Sequence, residues 1–248
     1  MSDVIAAYIN ILETGTVSLT EGAENPSFPL YRTYDRDIGL LFKAAAAATL
    51  EIFVDQGAAS ILATTMMFVP AGHGLNGMTI DIQHSDDDIV YTNAAPQFVQ
   101  GDAEQIIKEW AEVTKRYWKF IVTAPATIPS LSELYISDKY TFERAPTRPA
   151  GLLDEVFNVE DALTSGGQDR FLEFGDSKKR RGYLLPNISE AQKDNLLLLN
   201  AEWLGKKPFL IKDHTGVWIY GKLEAAMAIT EIQFQRYSAT FSFLEVLP

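Results

Sequence analysis

Along the first half of the chain, apolar and polar positions alternate with a period of two. Leu50, Ile52 and Val54 alternate with Glu51, Phe53 and Asp55, and Met78, Ile80 and Ile82 alternate with Thr79, Asp81 and Gln83. Such alternation turns one face of a strand to a core and the other to water. Residues 15–20 read as a shorter strand with Val17 and Leu19 on one face. Residues 61–69 form an almost unbroken apolar run with β-branched members, as a more buried strand does; it stops at Pro70, before Gly72, Gly74 and Gly77. Residues 105–111 and 116–123 are expected to be strands joined by a turn near 112–115, with Tyr117, Trp118, Phe120, Ile121 and Val122 suited to burial. A further strand is expected over 131–136.

In the second half, strands are expected over 171–174, 181–185, 209–212, 217–223 and 231–243. Tyr237, Ala239, Phe241 and Phe243 alternate there with Ser238, Thr240 and Ser242. One helix interrupts them. Ser189 followed by Gln192 has the spacing of a capping box, Leu196, Leu199 and Trp203 share a helical face, and Gly205 with Pro208 supplies the stop. Pro146 and Pro149 break both periodicities and mark the expected domain boundary.

The 248 residues suffice for two modest domains, and 47% hydrophobic content supplies their cores. With 21 Lys+Arg against 33 Asp+Glu, the net charge of −12 disfavours bulk binding to nucleic acid. The absence of cysteine excludes disulfides, thiol catalysis and thiolate metal sites. The first twelve residues contain Asp3 and no basic segment, unlike a secretory signal, and the longest apolar run, 44–50, is far shorter than the ~20 residues that span a bilayer. No membrane insertion is expected.

Asn10-Ile11-Leu12 with Thr16-Val17-Ser18-Leu19-Thr20 resembles the opening strand of the discoidin domain, the galactose-binding-like jelly roll also found in coagulation-factor C domains. Pro26, Pro29, Leu30 and Asp35 fit its next loop. Leu50 to Gly57, Met78 to Asp87, Arg116 to Val122 and Leu131 to Tyr135 resemble its later strands. The resemblance covers roughly residues 8–142. Asp88 stands where that family has a turn glycine, and no aromatic precedes Leu50. Ser165 to Phe171, Arg180 to Leu185, the helix from Ser189, Lys207 to Leu210 and Phe243 to Leu247 are similar to bacteriophage minor and distal tail proteins. Together these imply a mainly β protein: a discoidin-like jelly-roll β-sandwich over 1–147, then a second antiparallel β domain over 148–248 with its helix near 189–204.

The resemblances imply a structural subunit of a tail tip or baseplate, made in the host cytoplasm and carried in the virion. Its partners would be other tail proteins and copies of itself. A host-surface glycan is the alternative ligand, and Tyr31, Tyr34, His73, Asn76, Tyr91 and Asn93 are the loop residues offering aromatic and polar groups for it. Lys178, Lys179, Arg180 and Arg181 form the dense basic cluster, suited to an acidic neighbour in an assembly or to a solvated turn and strand edge. No cofactor or metal is expected, and no enzyme, a polysaccharide hydrolase being the least favoured of the three readings. His73, His84 and His214 lack metal-ligand spacing and read as solvated turn residues. Ser85-Asp86-Asp87-Asp88 reads as a turn rather than a calcium loop. Residues 71–77 lack the phosphate-binding glycine pattern, and no nucleophile elbow is present.

Overall fold

The computed structural model describes residues 5–59, 61–123, 125–143, 153–156, 159–163, 169–173, 178–203, 207–212 and 216–246. It is mainly β, and it divides into two compact units, Ala7–Tyr140 and Thr141–Leu247 with the first six residues. The strand Ile5–Ala7 joins the sheet that also holds Phe209–Lys212. The expected boundary at Pro146 and Pro149 lies outside the described residues.

The first unit is a β-sandwich. Among the described residues its large sheet has the order Thr16–Glu21, Leu50–Asp55, Tyr117–Thr123, Thr79–Ser85, Thr92–Asn93, with Phe98–Val99 also on Thr79–Ser85. Its smaller sheet has the order Tyr135–Ser137, Ala63–Val69, Ile106–Thr114. The neighbouring strands pair antiparallel. Register explains the core. Trp118 faces Val54 and His84, Phe120 faces Ile52 and Ile82, and Val122 faces Leu50 and Ile80. Apart from half-buried His84, this even-numbered row is buried and packs with Met67, Val69, Ile106 and Ile136 of the smaller sheet. The odd-numbered row, with Glu51, Phe53, Lys119 and Gln83, faces outward.

Several expectations are corrected. Asn10-Ile11-Leu12 is no strand: Ile11–Thr14 is a helical turn, capped by the Asn10 side chain, which accepts from Leu12 N. The strand expected over 131–136 is broken into Ser130–Leu131, which pairs with Phe42–Lys43, and Tyr135–Ser137, which pairs with Ala63–Val69; between them Leu134 N donates to Thr33 O. The turn near 112–115 shrinks to Lys115 and Arg116, since the first strand runs through Thr114. Ala44 is buried, and the exposed residues 45–48 form a loop.

In the second unit the sheet order includes Phe209–Lys212, Trp218–Leu223, Arg236–Glu245, Lys178–Ile188 and Leu153–Val156, with Ala228–Gln233 pairing off Arg236–Glu245. Gly221 is required where strands crowd: a Cβ there would lie 2.2 Å from the Leu244 carbonyl oxygen. The strand expected over 231–243 is instead a hairpin that turns at Phe234 and Gln235, with Gln235 at a left-handed φ of 56°. No glycine, proline or asparagine marks that turn, so its sequence reads as continuous. The helix Glu190–Trp203 begins as expected: Ser189 Oγ accepts from Gln192 N. The reciprocal half of the capping box differs, because Glu143 accepts from Ser189 N while Gln192 Oε1 accepts from Glu143 N.

Candidate functional site

Strand Thr79–Ser85 ends at Ser85, and the chain then folds around one side chain. Asp87 Oδ1 accepts hydrogen bonds from Ile89 N at 2.9 Å, Val90 N at 3.0 Å and Ser85 Oγ at 2.9 Å. Asp and Ser favour turns for this reason: their oxygens replace backbone acceptors. These donors hold the Asp87 carboxyl down at about 2, well below the usual range. Asp88, at a left-handed φ of 61°, carries the turn onward and accepts from the Tyr91 hydroxyl. Thr92 and Asn93 then return antiparallel beside His84 and Gln83.

Lys115 arrives from the two-residue turn between Ile106–Thr114 and Tyr117–Thr123. Its carbonyl accepts from Trp118 Nε1 at 2.8 Å and from Gln56 Nε2 at 3.0 Å, and its ammonium pairs with Asp86. His84, Ser85, Asp86, Asp87, Val90, Thr92 and Lys115 thereby surround an open cleft of about 260 Å³. Behind it, His84 lies 5.4 Å from the Trp118 ring, and Trp118 stacks on Trp110 at 5.9 Å. Burial first and the Lys115 charge second hold His84 below its ordinary value of 6.5.

The outward face of the large sheet adjoins this cleft, since Ser85 is the cross-strand partner of Tyr117. Lys119 pairs with Glu51 at 2.8 Å and lies 4.2 Å over the Tyr91 ring. Arg116 grips Asp55 with two bonds of 2.7 and 2.8 Å, which lowers the Asp55 carboxyl. Burial first, then the Asp88 hydrogen bond, raises the Tyr91 hydroxyl.

The six expected glycan residues do not converge. Tyr91 borders the cleft, and Asn93 Oδ1 accepts from Gln83 Nε2. Asn76 precedes Thr79–Ser85 and Tyr91 follows it, so about 20 Å of strand, at ~3.3 Å per residue, separates them. Tyr31 is exposed in the 3₁₀ turn Leu30–Thr33, and Tyr34 is half-buried. His73 is neither a sugar-facing nor a solvated residue. It is buried, its Nε2 donates to Glu104 O at 2.8 Å, its Nδ1 accepts from Leu75 N, and burial lowers its pKa. His84, read as solvated, is half-buried beside Trp118. His214 lies outside the described residues. Sequence reasoning missed Lys115 and Thr92, because 29 residues separate Lys115 from its partner Asp86.

The basic cluster occupies strand Lys178–Ile188, which is flanked on both sides rather than lying at an edge. In the strand register Lys179 is the partner of Glu155 and Arg180 of Asp154, and Arg180 pairs doubly with Glu224 at 2.7 and 2.8 Å.

Lowered histidines carry a pH consequence. The neutral imidazole is favoured in the fold, so His84 and His73 contribute stability that is fully present above 6.5 and lost as pH falls below it. Melting temperature is expected to drop between pH 7.5 and 5, and to drop less in His84→Asn. Equal drops in both proteins would remove His84 from this account.

No protein-family model matches the chain, and no curated protein does. Among solved structures it is similar to a Ruminococcus gnavus GH29 fucosidase in complex with fucose: 16% identity, TM-score 0.45, 53% of this chain and 27% of that one. It is also similar to chitosan-binding module 1 from a chitosanase/glucanase of Paenibacillus sp. IK-5, with 18% identity, TM-score 0.45, and 52% and 98% coverage. A Clostridium perfringens module in complex with GalNAc-β-1,3-galactose gives 11% identity, TM-score 0.43, and 50% and 96% coverage. The chain thus spans about a quarter of the fucosidase's length and nearly all of each module's. Likenesses of this strength assign no function.

Proposed function

We propose that the unit Ala7–Tyr140 is a carbohydrate-binding module and that the cleft beside Lys115 is its site. The observation that carries this reading is the make-up of the cleft. A hydroxyl-rich ring needs several donors and acceptors converging beside an apolar surface. Here Ser85, Asp86, Asp87, Thr92, His84 and Lys115 supply the polar groups, and Val90 the apolar surface. The cleft is smaller than the ~300 Å³ at which sites for drug-sized ligands begin, which fits a single sugar unit. Binding suits it better than hydrolysis: a glycosidic general acid needs a carboxyl raised towards neutrality, and that of Asp87 is driven the opposite way.

Titrating the full chain with mono- and disaccharides, read by NMR, is expected to shift His84 and Thr92 first. Lys115→Met is expected to weaken binding of neutral sugars on the order of tenfold, the worth of a charged hydrogen bond. Shifts confined to Tyr31, Tyr34 and Asn76 would move the site to the other loops, and no shifts at all would end the reading.

A second reading keeps the chain as a structural tail-tip subunit present in the virion, with the sugar site as its receptor contact. The hairpin of Ala228–Gln233 supports it: Ile232 and Phe234 stand exposed, Phe234 at 82%, as a surface buried by a neighbour would be. Mass spectrometry of purified particles tests it, and absence of the chain from them would overturn it.

A further inference from the structure

We infer that the cleft prefers a saccharide carrying a protonated amine over its neutral or acidic counterparts; this rests on the carbohydrate reading of the same site. The charges within the cleft decide the preference. Lys115, its ammonium, is already matched by Asp86. Asp87 has no such match: its partners are two backbone N–H groups and the Ser85 hydroxyl, all on Oδ1. One carboxylate oxygen, Oδ2, is left for a ligand, on a side chain that lines the cleft and is anchored by three bonds. Ionised throughout the physiological range, that carboxylate is an anchored negative charge facing solvent.

A protonated amine is the sugar substituent that completes this arrangement. It brings three donors and a positive charge to an oxygen that accepts from none of the described residues. A neutral hydroxyl makes the hydrogen bond without the charge. A uronate or sialate brings a second negative charge to Asp87 and meets a chain whose net charge is −12. Lys115 offers an anion little compensation while Asp86 holds it. The cleft also has an apolar side at Val90, beside which the ring of the same sugar fits.

Asp87→Asn tests the carboxylate. Asparagine retains an Oδ1 to accept from Ile89 N and Val90 N, and it is as good a turn residue as aspartate. The substitution therefore preserves the turn while replacing the free oxygen with an amide NH₂. The probes are a glucosamine trimer and its fully N-acetylated, uncharged form, titrated calorimetrically into the full chain at pH 6 and at pH 9. The glucosamine trimer is expected to bind roughly fivefold more tightly at pH 6, the scale of an exposed ion pair. That advantage should vanish at pH 9, where the amine is neutral, and in Asp87→Asn at either pH. The acetylated trimer should be indifferent to the pH change and should lose less than the glucosamine trimer in Asp87→Asn. Glu231→Gln, which removes one charge from the second unit, should leave the preference intact and so separate a cleft effect from the general field. Thermal melts of each variant check that the fold is retained.

Equal binding of the two trimers, or a preference that survives Asp87→Asn, would overturn the inference and leave the carbohydrate reading standing. A preference lost equally in Glu231→Gln would assign it to the overall field and overturn it as well. Failure of either trimer, and of every neutral sugar, to bind at millimolar concentration would overturn the carbohydrate reading and the inference with it.

Discussion

Replacing Arg36 with methionine is expected to destabilise the first unit by about 3–5 kcal/mol, the scale of breaking a buried ion pair from one side. Arg36 is buried at a left-handed φ of 64°, and its guanidinium answers several groups at once. Nε pairs with Glu13, Nη2 donates to Tyr8 O at 2.9 Å, and the guanidinium carbon lies 5.0 Å over the Tyr135 ring. The backbone N of the same residue donates to Glu133 Oε2 at 3.0 Å. Methionine keeps the φ and most of the apolar stem, so the comparison isolates the charge. Hydrogen exchange in Ala7–Tyr140 under increasing urea measures the loss. A loss below about 1 kcal/mol, the range of a surface pair, would show that the cluster is solvated. Glu133 supplies a second readout. Burial, opposed by Arg36, raises its carboxyl well above 4.5. The folded state therefore holds a proton that the unfolded chain releases, and this contribution is complete below about 4.5 and lost as pH rises through the raised value. Glu133→Gln still offers Arg36 N an acceptor but cannot ionise. Its stability is expected to decline less than that of the wild type as pH rises, and a parallel decline would remove Glu133 from the account.

That cluster also shows where sequence reasoning stops. Leu50–Asp55 was legible because alternate residues face a core and water, and the same physics shows in the row of Trp118, Phe120 and Val122. The helix at Ser189 was legible because its cap is local. Asn10 was not. Its side chain accepts from Leu12 N nearby, but it also donates to Leu134 O and accepts from Ile136 N, more than 120 residues away. Two apolar residues after Asn10 then read as strand. The segment from Leu131 to Ile136 passes from pairing with Phe42–Lys43 to pairing with Ala63–Val69, and nothing in it hints at the interruption. The candidate site divides in the same way. The turn of Ser85 to Asp88 is encoded by its own short side chains. Lys115 and Trp118 join it through the register of Tyr117–Thr123 on Thr79–Ser85, which only tertiary pairing sets. His73 misled because its loop is glycine-rich while its ring is buried.

Trp118 joins the core to the cleft, and its substitution should register in both. The residue is fully buried, stacks on Trp110, stands behind His84 and donates to the Lys115 carbonyl. Trp118→Ala removes one of the largest side chains of the core and is expected to cost about 3–5 kcal/mol, observable as a lowered urea midpoint in the first unit. Trp118→Phe separates the two roles. It keeps an aromatic ring and loses the indole donor, yet the Lys115 carbonyl still accepts from Gln56 Nε2, so no buried acceptor is orphaned. The expected cost is then about 2–3 kcal/mol, one net hydrogen bond and the small cavity left by the lost part of the indole, less than that of Trp118→Ala. Sugar affinity should nevertheless fall in Trp118→Phe, because His84 loses part of its backing and Lys115 one of its two backbone anchors. A site displaced by even a fraction of an ångström no longer presents its polar groups together. Undiminished affinity in a measurably less stable Trp118→Phe would show that the cleft is held by its own turn alone, with Asp87 sufficient to form it.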